Sequence, residues 1–197
     1  MIKIMKKLFV FLVTFFAFVN TFAQEVQIQS SKRAHKFSIE HIEMIGEHYI
    51  YLYGEIGTGF VQSSYVQSFY EYPILKNIKA HVECRFSSTA SSICNSSIIV
   101  GPSFRILNKN YCYASIAALY RYDDSHLWQA SATYGFNYKN LFFDGYCDVY
   151  GADYADVYSE NKLKLRFGKY FAGTNIEWGS FIEQMFVTPY VLFGVKF

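Results

Sequence analysis

Residues 78–86 read Ile-Lys-Ala-His-Val-Glu-Cys-Arg-Phe. Ile78, Ala80, Val82, Cys84 and Phe86 alternate with Lys79, His81, Glu83 and Arg85. Strand side chains change face with a period of two, so this segment has one apolar face and one charged face. Lipid suits the first and water the second.

The pattern recurs on both sides of that stretch. Between 157 and 167, Leu163, Leu165 and Phe167 oppose Glu160, Lys162, Lys164 and Arg166. Between 128 and 138, Trp128, Ala130, Ala132, Tyr134, Phe136 and Tyr138 oppose Gln129, Ser131, Thr133, Gly135 and Asn137. At the far end Val191, Phe193, Val195 and Phe197 share a face. A soluble sandwich can show one such strand, whereas repeated dyads predict an all-β protein, a transmembrane antiparallel up-and-down β-barrel. The aromatic closing run Phe193, Val195, Phe197 is expected to be the signal read by barrel-assembly machinery.

The other end predicts the compartment. Lys3, Lys6 and Lys7 precede an apolar run over 8–19 and a small residue, Ala23. That is the layout of a cleavable secretory signal peptide over residues 1–23, leaving 24–197 as the barrel. The run is well short of the roughly 20 residues a membrane helix needs. Export to a bacterial outer membrane, with its lipid as the surrounding partner, follows as the expectation.

Composition agrees. Aromatic residues make up 20% of the chain, as 18 Tyr, 20 Phe and 2 Trp, and charged residues only 17%. Mean hydropathy is +0.07, too low for a bundle of membrane helices. A net charge of +2 gives no reason to expect a nucleic-acid polymer as partner. Cys84, Cys94, Cys112 and Cys147 lack metal-type spacing, and Cys84 and Cys147 fall in phase with the lipid-facing residues as small hydrophobes.

Strands are predicted at 25–31, 36–45, 48–56, 60–71, 77–86, 97–106, 111–122, 126–138, 141–151, 157–167, 170–179 and 186–197. An even count of about twelve lets the barrel close with both ends in the periplasm. Gly46-Glu47, the stretch 107–110, Lys139-Asn140 and Gly168-Lys169 read as periplasmic turns, and 87–96, 152–156 and 180–184 as external loops. Ten strands is the alternative, because the first rests on Val26-Gln27-Ile28-Gln29 alone. Phe37 and Ile39 are out of phase with Ile42 and Met44, which predicts a bulge or a shifted boundary there. Pro73, Pro102 and Pro189 are expected at strand ends or distortions.

With these segments placed, several short motifs stand in order. They are Asn77-Ile78-Lys79-Ala80-His81-Val82-Glu83, Gly101-Pro102, Leu119-Tyr120-Arg121-Tyr122, Gly145-Tyr146-Cys147-Asp148-Val149-Tyr150, Gly173-Thr174-Asn175-Ile176-Glu177-Trp178, and the stretch 189–197. In these the chain resembles the Tsx-like outer-membrane channel superfamily, in a branch described only as a domain of unknown function. Tyr150 replaces a tryptophan of that branch and Cys84 an aromatic. The resemblance implies a twelve-stranded barrel and nucleoside-like solutes.

The inward faces supply the candidate solute contacts. These are Lys79, His81, Glu83 and Arg85; Phe142, Asp144, Tyr146, Asp148 and Tyr150; Glu160, Lys162, Lys164 and Arg166; and Glu177. Phe142, Tyr146 and Tyr150 can offer flat rings to a planar solute while Asp144 and Asp148 accept its hydrogen bonds. The competing expectation is that both aspartates pair with lumen Lys and Arg. Lys162, Lys164 and Arg166 can draw in an anion or form a wetted wall. Only His81 beside Glu83 suggests a metal, and no metal or cofactor is expected. Asp124, Ser125 and His126 are the sole arrangement resembling a lipid-modifying barrel enzyme, and a polar turn accounts for them equally. The expected function is a passive channel for small polar solutes, not an enzyme, with a structural or adhesive barrel as the alternative.

Overall fold

The computed structural model describes residues 25–32, 34–59, 63–89, 92–109, 111–122, 127–151, 155–181 and 184–197. They form strands β1 (Glu25–Ser30), β2 (Ala34–Ile45), β3 (His48–Gly59), β4 (Ser63–Leu75), β5 (Ile78–Thr89), β6 (Ser92–Lys109), β7 (Cys112–Tyr122), β8 (Trp128–Tyr138), β9 (Leu141–Gly151), β10 (Ala155–Phe167), β11 (Tyr170–Phe181) and β12 (Gln184–Lys196). Every strand pairs antiparallel with its sequence neighbours, and β1 pairs with β12, closing a twelve-stranded barrel. No described helix is long and apolar enough to cross a membrane. The first 23 residues, expected as a signal peptide, lie outside the described residues.

Alternation decides which side chains meet lipid. On β5, Val82 is 45% exposed and its neighbour Glu83 2%; on β12, Phe193 is 60% exposed and Leu192 0%. The outer wall is an apolar band, with Tyr72, Tyr138 and Tyr170 exposed near one rim and Tyr122, Trp128 and Trp178 toward the other. Aromatic girdles of this kind mark the two interfaces of a bilayer.

At the rim of short connections, Gly46 (φ 64°), Lys139 (φ 53°) and Gly168 (φ 63°) each open a two-residue hairpin. Left-handed backbone at that position matches the twist of the flanking strands. Lys139, not the Asn140 beside it, takes that conformation, the one non-glycine to do so among the described residues.

Three sequence expectations are corrected. No bulge interrupts β2: its register against β3 is continuous from Ala34↔Gly59 to Ile45↔His48. Phe37 and Ile39 face out and Ile42 and Met44 face in, because toward the short-turn rim lipid no longer dictates which face is apolar. The presumed loop 87–96 is mostly strand, with β5 reaching Thr89 and β6 starting at Ser92. Ladder hydrogen bonds of a hairpin extending past the lipid need no apolar side chains. The stretch 107–109 likewise belongs to β6.

The prolines fall at irregularities as expected. Register shifts between Pro73 and Leu75. The β6–β7 ladder skips Gly101 and Pro102, where the Gly101 backbone lies so close to β7 that a Cβ would sit 2.2 Å from the Ala118 carbonyl oxygen. Pro189 lies in the part of β12, residues 184–190, that has no β1 partner among the described residues. The Lys196 amide donates at 2.7 Å to the carbonyl of Lys169, which immediately precedes β11, so odd-numbered amides of β12 point toward β1. Proline at 189 therefore leaves no N–H unpaired at that open edge.

Candidate functional site

The registers place every charged candidate on the lumen face. Glu83 of β5 lies between Phe69 of β4 and Ile99 of β6; Asp148 of β9 lies between Ser131 of β8 and Tyr158 of β10; Glu160 of β10 lies between Tyr146 of β9 and Glu177 of β11. Phe142, Asp144, Tyr146 and Tyr150 follow in phase with Asp148, and Lys162, Lys164 and Arg166 with Glu160. Arg166 stands apart at the short-turn rim, where its Nε donates to the Gly168 carbonyl.

Two ion networks run through the lumen. In the first, Arg85 donates from Nη2 to Asp148 at 3.1 Å and from Nη1 to the Tyr150 hydroxyl at 3.1 Å. Its Nε also donates to Glu83, which accepts from Gln67 Nε2 at 2.6 Å. Tyr150 donates to Asp148 at 2.9 Å. Toward the short-turn rim, His81 lies 3.1 Å from Glu83, while Glu71 accepts from Lys79 at 3.0 Å and from Ser103 at 2.8 Å.

The second network gathers β1, β2, β3, β9, β10 and β11. The Lys36 ammonium donates to Glu177 at 2.7 Å and lies 3.1 Å from Glu55, which accepts from Tyr53 at 2.7 Å. Lys162 pairs with Glu160 at 3.0 Å. Lys164 donates to Glu25 at 2.8 Å and lies 3.2 Å from Asp144. Both aspartates of the presumed solute track are thus ion-paired, as the competing expectation had it. Lys162 and Lys164 are likewise matched by carboxylates and present no uncompensated positive wall.

Rings fill the space between the networks. Tyr51 and Tyr53 stack with centroids 6.4 Å apart, Tyr51 and Phe69 with 4.8 Å, and Tyr146 and Tyr158 lie 5.8 Å apart. The Lys162 ammonium sits 5.6 Å from the Tyr53 ring centre, reaching across from β10 to β3. The aromatic track on β9 therefore faces a second aromatic row on β3 and β4. Tyr49, Tyr51, Tyr53 and Glu55 alternate along β3 and face the lumen, beyond the residues expected there from the sequence.

The lumen is packed at this level. Gln29, Ile99, Asn175 and Leu192 all face inward yet are 0% exposed, and Gln129 is 1%. A wide aqueous pore would wet them. Ion pairs and tyrosines together close the barrel's interior.

No group of three or more His, Cys, Asp or Glu among the described residues is arranged to hold a metal ion. Asp124, Ser125 and His126 lie outside the described residues. Cys84, Cys112 and Cys147 are free thiols, with Cys84 and Cys147 on the outer face as read from the sequence.

No family model matches the chain, and no curated protein does so. Among solved structures it is similar to the KdgM porin (TM-score 0.59, 8% identity) and to the NanC porin (TM-score 0.60, 10% identity). Each likeness covers 88% of this chain and 98% of the other. A second KdgM structure, in complex with disordered oligogalacturonate, matches over the same shares at 10% identity and TM-score 0.59. The fold class is therefore the twelve-stranded porin barrel.

Proposed function

We propose that this chain is a passive outer-membrane channel for small polar solutes, closed at rest by side chains. The observation that carries the reading is a closed barrel with an apolar exterior and an interior rich in charged groups, amides and tyrosines. Diffusion through such an interior requires contacts that can be exchanged, so the ion pairs and tyrosines that close the lumen must part for a solute to pass. Porin neighbours support the fold on which the reading depends.

A neutral solute suits the lumen better than an anion. An acidic sugar such as the oligogalacturonate seen with KdgM would meet Glu25, Glu160 and Glu177 beside every cation of the second network. Nucleoside-like solutes, favoured by the Tsx-like resemblance, combine a flat face for Tyr51, Tyr53, Tyr146 or Tyr150 with neutral hydrogen-bonding groups. Residues 1–23 serve as the exported leader, and Phe193, Val195 and Phe197 as the strand that assembly machinery recognises. No cofactor enters such a mechanism.

Single-channel recording in planar bilayers, with nucleosides as blockers, tests the reading. Discrete openings that nucleosides interrupt are expected. If neither the wild type nor an Arg85→Ala variant conducts, the channel reading fails and a structural barrel, consistent with the packed interior, takes its place.

A further inference from the structure

Between the two charged rungs of β1 and β2 lies a neutral one. Along β1 the inward residues are Glu25, Gln27 and Gln29; along β2 they are Lys36, Ser38 and Glu40. Glu25 is bound by Lys164 and Lys36 by Glu177. Gln27 and Ser38, which face each other directly, sit between those ion pairs.

The neutral rung is where hydrogen bonding fails. Both amide atoms of Gln27, Nε2 of Gln29, Oγ of Ser38 and Oδ1 of Asn175 are buried and have no partner among the described residues. Among the described residues, Gln129 Oε1 and His41 Nδ1 are the other two such atoms, and they lie elsewhere in the barrel. Asn175 Nδ2 donates to Gln29 Oε1 at 2.7 Å, so the four side chains are contiguous. Each buried, unpaired polar group costs about 1–3 kcal/mol, so several together are not a device for stability. Leucine or alanine there would fold better.

We propose that Gln27, Gln29, Ser38 and Asn175 form a binding site for a neutral solute carrying a hydrogen-bond donor and acceptor side by side, such as a carboxamide, an imide or paired hydroxyls. This deepens the channel reading and rests on it. The open valences match that chemistry: Gln27 Nε2 and Gln29 Nε2 donate, Gln27 Oε1 and Asn175 Oδ1 accept, and the Ser38 hydroxyl does either. An anion is disfavoured because the flanking Lys36 and Lys164 already have carboxylate partners. An added anion would have to displace a pair, whereas a neutral group meets unpaired donors and acceptors once these side chains, fully buried at rest, move apart to admit it. Tyr53 lies two strands from Gln27, opposite Glu40 on β2, and can stack against the solute's ring.

The test compares wild type with Gln27→Leu/Ser38→Ala, using uridine and uridine monophosphate as probes in single-channel recording, and thermal unfolding of the barrel in detergent. Uridine is expected to block the wild type at concentrations at least about tenfold below the monophosphate. The double variant is expected to lose uridine block by at least about tenfold and to unfold at a higher temperature. Unchanged uridine block in the variant overturns the site, and so does a lower unfolding temperature, which would mark the cluster as structural. Ser38→Ala alone serves if the double variant does not fold. If the wild type does not conduct, the channel reading falls separately; uridine must then still raise the unfolding temperature of the wild type and not of the variant, or the site falls too.

Discussion

Arg85 Nη2 lies 3.1 Å from Asp148 Oδ2, although Arg85 is on β5 and Asp148 on β9, with β6, β7 and β8 between them. The pair is a strut across the lumen. The inward face of the intervening wall carries small residues, Ser97, Gly101, Ala117 and Ser131, beside the larger Ile99, Leu119 and Gln129.

Removing the strut is expected to open the barrel and weaken it. Arg85→Ala leaves Glu83 and Asp148 without their shared cation, and breaking a buried pair from one side costs about 3–5 kcal/mol. Unit conductance should rise and the unfolding temperature fall. Arg85→Ala/Asp148→Ala should recover part of the stability while keeping the higher conductance. Equal conductance in wild type and both variants would mean that the constriction lies elsewhere.

Lys36 is the hub of the second network, shared by Glu55 at 3.1 Å and Glu177 at 2.7 Å. Lys36→Met keeps the length of the stem and deletes the charge, leaving two close carboxylates facing each other without a cation. Loss of about 3–5 kcal/mol is expected in urea unfolding from detergent or lipid. Lys36→Met/Glu177→Gln should restore more than half of it, because one carboxylate is then neutral. No rescue would show that Lys36 acts through its packing over Tyr190, whose ring centre is 5.4 Å from the ammonium.

Cys84 and Cys147 test which face meets lipid. Cys84 lies between Val82 and Phe86 on the outer face, and Cys147 opposite Ala132 and Ser159. With Cys94 and Cys112 replaced by serine, a charged thiol reagent should leave both unmodified in proteoliposomes, while an uncharged, lipid-soluble maleimide should label them. Rapid labelling by the charged reagent would put these strands in the opposite phase.

The faces of β5, β8 and β10 were legible because lipid demands an apolar group at every second residue, and a one-residue slip would reverse the whole strand. The same rule was silent on partners across the barrel. Nothing local to Arg85 says that Asp148 faces it, since that depends on how far each strand is offset around the closed sheet. Lys36, Tyr53 and Glu55 were overlooked for a related reason: on β2 and β3 the outer face carries His41, Glu43 and Gly54, so the contrast between faces is blurred. Residues 87–96 were misread because serine-rich composition marks departure from lipid, not departure from strand.

Gly194 carries the last prediction, at the seam between β1 and β12. Closure there rests on a short ladder, from Glu25↔Lys196 to Ser30↔Val191, and Gly194 sits inside it opposite Gln27. A Cβ at 194 would lie 2.1 Å from Cζ of the Phe171 ring and 2.4 Å from the Val26 carbonyl oxygen. The ring can turn away; the carbonyl belongs to β1 and cannot move without opening the ladder. Gly194→Val is therefore expected to cost at least about 1–3 kcal/mol, the usual range for overpacking, and to act on closure in particular. An open edge in lipid leaves backbone groups unpaired, so the effect should appear as failed assembly. Semi-native gel electrophoresis without boiling should show less of the compact, heat-modifiable form for Gly194→Val, with Phe171→Ala restoring part of it by removing the ring. A full yield of the compact form in Gly194→Val alone would mean that β1 adapts to the added side chain and that closure is not limited at this seam.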